Sequence, residues 1–183
     1  DLIRRAPQGH VVDIGVGGGG STFAFAKLMR IMQRPGTVFG FDTFSGFPHV
    51  GLQDGNDFLV KVGGMNFGRA PLIAVGKEPS LPISFVIGDI VQTVPIWARK
   101  QSVGFCIGLL NLDADLYAPT TTALEHLMPL MAPGGIVILD EYDVSSFPGE
   151  QRALTDYFQQ RECLSPVLHK HPWSNNPSRY FYV

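Results

Sequence analysis

Carboxylates stand at the ends of five strand-like segments of this chain. These segments are HVVDIGV, TVFGFD, ISFVIGD, VGFCIGLLNLDAD and GIVILDEYD. The acids in or directly after them are Asp13, Asp42, Asp89, Asp113, Asp115, Asp140 and Glu141. If the strands are parallel, their carboxyl ends meet at one edge of the sheet, where ligands bind. Acids gathered at such an edge can accept hydrogen bonds, take up protons or hold a hard cation.

A glycine-rich loop follows the first strand. The sequence VVDIGVGGGGS places Gly15, Gly17 and Gly20 in the G-x-G-x-x-G spacing of a dinucleotide-binding turn. Glycines allow the backbone to turn sharply and to approach a ligand at the start of the next helix. Asp42, 22 residues after Gly20, can accept hydrogen bonds from ribose hydroxyls. The spacing suits a nicotinamide cofactor and S-adenosylmethionine about equally.

Two further acids favour S-adenosylmethionine. Asp13 lies two residues before Gly15, where a carboxylate can orient the loop and pair with a cationic ligand group. S-adenosylmethionine carries an ammonium group, whereas a carboxylate would repel the pyrophosphate of a dinucleotide. Asp89 can accept from an adenine amino group, although it can equally cap the helix that follows.

Helix-like segments separate the strands that carry these acids. The alternation predicts an α/β fold with a mostly parallel sheet and helices on both faces. Residues 49–83 interrupt it with six glycines, and a connection of this length is expected to be a lid or a substrate-binding insertion. We predict a single domain over residues 1–183.

Composition excludes several classes of function. The 183 residues carry a net charge of −2 without a Lys or Arg run, so we expect no nucleic-acid partner. Hydrophobic residues make up 45% of the chain and charged residues 16%, which excludes a disordered protein. No apolar stretch is long enough to cross a bilayer, so we expect no membrane partner. The two cysteines predict no disulfide framework and fit a cytoplasmic location.

Six motifs together resemble the macrocin O-methyltransferase (TylF-like) family of class I S-adenosylmethionine-dependent methyltransferases. In chain order they are DIGVGGGGS, FDTFSGFP, VIGDIVQT, LNLDADLYAPTTTALEHLMP, PGGIVILDEYD and FPGEQRA. The resemblance implies a Rossmann-like, seven-stranded sheet with an antiparallel last strand, for which SRYFYV is the candidate. It also implies methyl transfer to a hydroxyl of a sugar or a natural-product glycoside. The cofactor contacts expected from these motifs are Asp13, Gly15, Gly17, Ser21, Thr22, Asp42, Ser45, Asp89 and Ile90.

The same resemblance implies a Mg²⁺ site at Asp113, Asp140 and Glu141. The family usually has two adjacent aspartates at the last two positions, whereas this chain has Asp-Glu. Asp113 and Asp115 would lie on the same side of a continuing strand. We favour Asp115 as the general base, with Asp113 as the alternative.

Other interpretations remain open at this stage. A nicotinamide-dependent oxidoreductase is one, although Tyr117 and Tyr142 lack a Lys four residues later. A cofactor-binding remnant without catalysis is another. The chain begins without Met, and we expect a truncated N-terminal region. A homo-oligomer is a further expectation. His49 is a weaker candidate for the site, and His169 and His171 are not expected to take part.

Overall fold

The computed structural model describes residues 1–55, 60–170 and 178–183. Part of the predicted insertion, residues 56–59, and His171 lie outside the described residues. The helices are α1 (Leu2–Arg5), α2 (Gly20–Ile31), α3 (Ala70–Lys77), α4 (Ile90–Ala98), α5 (Tyr117–Leu127) and α6 (Gly149–Gln160). The strands are β1 (His10–Ile14), β2 (Val38–Asp42), β3 (Ile83–Ile87), β4 (Ile107–Leu112), β5 (Met131–Leu139), β6 (His169–Lys170) and β7 (Arg179–Tyr182).

The strands form one seven-stranded sheet in the order β3-β2-β1-β4-β5-β7-β6. The first five are parallel, and β7 runs antiparallel to β5. The predicted fold class, including the antiparallel strand at SRYFYV, is therefore confirmed. The strand order reverses between β1 and β4, and this reversal opens a crevice at the carboxyl ends of those two strands.

Apolar side chains cover both faces of the central strands. Every residue of β4 is buried, as expected for a central strand with helices on either side. Its Leu110 and Leu112 belong to a core beneath α4, α5 and α6. Its Leu109 packs in a second core with Ala26 and Met29 of α2. Together the two cores hold the carboxyl ends of β1 and β4 side by side.

Two helices fall where the sequence predicted none. Helix α3 lies inside the 49–83 segment, whose glycines hid its helical pattern. Helix α1 is a single turn that buries Leu2 and Ile3. No helix among the described residues is long and apolar enough to cross a membrane.

Candidate active site

A cavity of about 430 Å³ opens at the carboxyl ends of β1, β2 and β4. The glycine loop, Asp42 and Asp89 form one part of its wall, and the acids after β4 and β5 form another. Cavities of this size are typical of small-molecule and cofactor sites. Of the site residues predicted from the sequence, those on the wall are Gly15, Gly17, Ser21, Asp42, Asp89, Ile90, Asp113, Asp115, Asp140 and Glu141.

The glycine loop packs directly on the chain that leaves β4. Gly15 has a φ of +92°, and a Cβ at this position would lie 1.8 Å from the carbonyl oxygen of Asp113. No other residue fits there without moving the backbone. Two positions on, the Gly17 N–H donates to Oδ2 of Asp42 at 2.8 Å. The Asp42 Oδ1 accepts from the Phe44 N–H at 2.6 Å. Asp42 thus fixes the loop and still lines the cavity.

Asp13 does not lie on the cavity wall. It is fully buried and accepts hydrogen bonds from the Ser21 and Thr22 hydroxyls and from Nδ2 of Asn111, the last at 2.8 Å. Burial raises the pKa of the Asp13 carboxyl, and these hydrogen bonds oppose the shift. The prediction that Asp13 contacts the ligand directly is therefore corrected. Asp13 instead holds the start of α2 through the Ser21 and Thr22 hydroxyls.

Two other predicted contacts also lie away from the wall. Thr22 is fully buried, and its hydroxyl donates to Asp13. Ser45 is exposed in the turn after β2, where its N–H donates to the Thr43 hydroxyl at 3.1 Å. The cavity wall holds the neighbouring Thr43 instead.

Asp89 has two roles in the structure. Its Oδ1 accepts from the Val91 N–H at 3.0 Å, so it caps α4. Its Oδ2 lies 3.8 Å from Nε2 of His49, and both residues line the cavity. The helix cap and the position on the wall are compatible, because the carboxylate has a second oxygen.

A compact acidic cluster forms another part of the cavity wall. Carboxylate oxygens of Asp113, Asp115 and Glu141 all lie within 4.8 Å of one another. Asp140 also lines the cavity, but it does not belong to this group of three. The observed group therefore differs from the predicted ligand set, because it contains Asp115 in place of Asp140.

The predicted strand alternation at Asp113 and Asp115 is wrong. Strand β4 ends at Leu112, and Asp115 has a left-handed backbone with a φ of +62°. The two side chains nevertheless reach the same cavity, because a turn replaces the strand. Asp115 does not cap α5, and the N-cap residue of that helix, Leu116, makes no side-chain cap bond.

Burial governs the charge of the cluster. It is the largest cause raising the pKa of Asp113 and of Glu141, and neighbouring carboxylates raise both values further. Burial also raises the pKa of Asp115 to about 7, and a hydrogen bond to Glu141 limits that rise. Without a cation these acids share protons, because close buried carboxylates cannot all ionise.

Sequence reasoning missed a further acid beside this cluster, Glu150. It is the second residue of α6 and is fully buried. Neither carboxyl oxygen has a hydrogen bond of good geometry within the described residues, but the backbone N–H groups of Glu141 and Asp140 lie close enough to stabilise its charge. Burial raises its pKa well above the usual range; the backbone N–H groups of Glu141 and Asp140 oppose the shift, and the charges of Asp140 and Asp115 add to it. The motif FPGEQRA was the only sequence signal for it.

The 49–83 segment contributes apolar residues to the cavity wall. Met65 and Phe67 line the cavity, and the ring of Phe67 lies against Gly17. The segment is tied to the turn after β2 by two backbone hydrogen bonds: Phe47 N–H to Gly64 O at 3.0 Å and Gly63 N–H to Phe47 O at 2.8 Å. No periodic pattern marked Met65 or Phe67 in the sequence.

A family model described as a methyltransferase domain matches residues 12–142, the stretch that holds the glycine loop and the acidic cluster. The chain belongs to this methyltransferase family. The match does not support the nicotinamide alternative. The crystal structure of the calicheamicin methyltransferase CalS11 covers 99% of this chain with a TM-score of 0.83 and 26% identity, and this chain covers 75% of it.

Two curated relatives carry the names of O-methyltransferases, one of them for a rhamnosyl-bearing tetracenomycin. One is 8-demethyl-8-(2,3-dimethoxy-alpha-L-rhamnosyl)-tetracenomycin-C 4'-O-methyltransferase of Streptomyces olivaceus, 32% identical over 91% of this chain and 64% of the relative. The other is mycinamicin III 3''-O-methyltransferase of Micromonospora griseorubida, 26% identical over 85% of this chain and 62% of the relative. The chain thus spans less than two thirds of the length of these relatives.

Proposed function

We propose that this protein transfers a methyl group from S-adenosylmethionine to a hydroxyl of a small molecule, with the help of a divalent cation. The observation that supports it best is the composition of the cavity wall. A glycine loop fixed by Asp42 and the acidic cluster of Asp113, Asp115 and Glu141 line the same cavity of ligand size. The first part suits a nucleoside with a ribose, and the second suits a hydroxyl that must lose a proton.

The donor set of the cluster fits Mg²⁺. Mg²⁺ prefers hard oxygen ligands and uses few carboxylates together with water or substrate oxygens. The charges that raise the pKa values of Asp113 and Glu141 are all those of other carboxylates, so a cation would relieve the repulsion. We assign Asp113, Asp115 and Glu141 as candidate ligands, with Asp140 beside them. Glu141 in place of a second Asp keeps the charge and adds one methylene.

The residues of this chain divide the work. The glycine loop and Asp42 position the nucleoside, and Asp89 lies where an adenine amino group would be recognised. A carboxylate has two oxygens, so Asp115 can hold the cation with one and take the proton of the acceptor hydroxyl with the other; Asp113 is the alternative base. When bound, S-adenosylmethionine supplies the methyl group and the cation lowers the pKa of the hydroxyl. The hydroxyl oxygen, having given its proton to the base, would displace the methyl group from the sulfonium sulfur in one step and leave a thioether. The protein contributes mainly alignment and deprotonation.

The acceptor we propose is a deoxysugar hydroxyl of a glycosylated natural product. The rhamnosyl group in the name of the tetracenomycin relative supports this class. The six sequence motifs further support placement among the macrocin O-methyltransferase-like enzymes. We place the reaction in the cytoplasm, in keeping with two free cysteines.

Calorimetry followed by a turnover assay tests the proposal. S-adenosylhomocysteine should bind, and NAD⁺ and NADP⁺ should not. With Mg²⁺ and a panel of rhamnosylated or otherwise deoxysugar-bearing acceptors, S-adenosylhomocysteine should accumulate, and EDTA should abolish its formation. Binding of a dinucleotide without a response to S-adenosylhomocysteine would refute the cofactor. Full turnover in excess chelator would refute the role of the cation.

A further inference from the structure

Asp54 is a buried acid that the proposed reaction does not use. It ends a short 3₁₀ turn, Leu52–Asp54, in the insertion and is 1% exposed. Its Oδ1 accepts from the Tyr117 N–H at 2.5 Å, and its Oδ2 accepts from the Gly51 N–H at 2.7 Å. A buried carboxylate is costly unless its oxygens are paired, and here the backbone pairs both of them.

The bond to Tyr117 caps a helix from a distant part of the chain. Tyr117 is the first residue of α5, and the N-cap residue, Leu116, has no side chain that can accept from the helix. Free N–H groups at a helix start favour a negative charge. Asp54, 63 positions away in the sequence, supplies the acceptor that Leu116 lacks.

The start of α6 packs tightly over the same bond. A Cβ on Gly149 would lie 2.5 Å from Oδ1 of Asp54 and 2.5 Å from the Tyr117 nitrogen. Gly149 does not have a positive φ, so its backbone alone does not require glycine. The close approach to Asp54 and Tyr117 explains why this position has no side chain. The insertion, α5 and α6 therefore meet at one carboxylate.

This junction lies two residues from the acidic cluster. Asp115 sits in a left-handed turn immediately before Leu116, where the Leu116 N–H donates to the Ala114 oxygen at 2.6 Å. A non-glycine residue in this conformation is held by its surroundings. We propose that Asp54 is a positioning residue, which fixes the turn that aims Asp115 into the cavity by capping α5 from the insertion. The proposal rests on the role proposed above for the acidic cluster.

Two variants disturb the junction in different ways. Asp54→Asn keeps one acceptor but turns an NH₂ group toward a backbone N–H. Gly149→Ala leaves Asp54 in place and pushes a methyl group into its bond with Tyr117. The matched control is Tyr117→Phe, which removes the hydroxyl bond to Asp156 at 2.8 Å and keeps the backbone N–H of Tyr117. Tyr117 does not line the cavity.

The test combines amide hydrogen exchange with binding of Mn²⁺ and of S-adenosylhomocysteine to the intact chain. Both variants should speed exchange of the Tyr117 amide by about ten- to hundredfold, as expected for a lost hydrogen bond to a charged group. Both should weaken Mn²⁺ binding by about tenfold, the effect usual for residues that orient metal ligands. The control should change neither quantity, and all three should bind S-adenosylhomocysteine like the wild type.

The outcomes separate this proposal from the proposed function. Unchanged exchange at Tyr117 in both Asp54→Asn and Gly149→Ala would overturn the positioning role. Faster exchange with unaltered Mn²⁺ affinity would also overturn it, because Asp54 would then only stabilise the fold. A wild-type chain that binds no Mn²⁺ would count against the proposed cation site, and the exchange comparison would still decide whether Asp54 holds the turn.

Discussion

Asp42 and Gly17 are joined by a 2.8 Å hydrogen bond, from the Gly17 N–H to Oδ2 of the carboxylate. The acid that ends β2 and the loop that follows β1 are therefore one unit. A ligand in the cavity meets a loop that is already held in place, so little ordering is needed on binding.

Replacing Asp42 should therefore affect binding in two ways. Asp42→Ala removes the acceptor for the ribose and the anchor of Gly17 together. We expect S-adenosylhomocysteine affinity to fall by about ten- to hundredfold, since hydrogen bonds to a charged group are lost. Calorimetry measures this directly. Asp143→Asn, which alters an exposed acid paired with Arg179, is the control and should bind normally. Unchanged affinity in Asp42→Ala would remove Asp42 from the cofactor site.

The acidic cluster predicts a pH-dependent response to Mg²⁺. Asp113, Asp115 and Glu141 all have raised pKa values in the folded chain. Above about pH 4, where unfolded carboxyls ionise, the folded state holds more protons than the unfolded state. Stability therefore falls as the pH rises, and for Asp115 the loss ends near its pKa of about 7.

A cation should reverse that loss. Mg²⁺ replaces the shared protons, so it should raise the melting temperature more at pH 8 than at pH 6. Differential scanning fluorimetry with Mg²⁺ and with EDTA checks this. Equal shifts at the two pH values, or none, would argue against a cation at this cluster. Asp156→Asn, outside the cavity, should respond like the wild type.

Asp115→Asn should act on the chemical step. The amide cannot take a proton, so kcat should fall by about 10²–10⁴-fold, the range of a positioned general base. S-adenosylhomocysteine affinity should remain near the wild-type value. Parallel Mn²⁺ titrations separate the two roles open to this residue. If saturating Mn²⁺ restores full kcat, Asp115 is a ligand and Asp113 becomes the base.

Glu150→Gln should stabilise the protein at neutral and higher pH. The buried carboxyl has no hydrogen bond of good geometry within the described residues, and burial keeps its pKa well above the usual range although the Glu141 and Asp140 backbone N–H groups oppose the shift. Glu150 therefore ionises in the unfolded chain but stays protonated in the folded one. The free energy of unfolding then falls by about 1.4 kcal/mol for each pH unit above the pKa of Glu150 in the unfolded chain. Glutamine has a similar shape and no titration. Melting curves at pH 6 and pH 8 should show the larger gain at pH 8.

The exposed Glu125→Gln on α5 is the control for this variant and should change little at either pH. A loss of stability in Glu150→Gln at pH 8 would show that the charge of Glu150 is satisfied in the folded protein.

The sequence predicted the parts of the site that depend on local pattern. Apolar runs located the strands, and the glycine loop with Asp42 followed from their spacing. It could not predict the turn at Asp115, because strand periodicity gives no information on where a strand ends. Nor could it predict the contacts of Asp54 with Tyr117 or of Phe67 with Gly17, which join segments far apart in the chain. It also could not predict that Asp13 is buried away from the cavity, because one of the partners of Asp13 is Asn111, 98 positions away in the sequence.

The reversal of strand order between β1 and β4 gives the chain a natural point of division. The link before β4 passes through Val103, which is fully exposed, and Gly104, which has a positive φ. Cleavage at such a loop tip is generally tolerated. It would place the glycine loop and Asp42 on one fragment and the acidic cluster on the other. The two pieces could then be expressed separately as a complementation pair. A ligand that binds in the shared crevice would bring the pieces together, so their association would detect that ligand even when the acceptor is unknown.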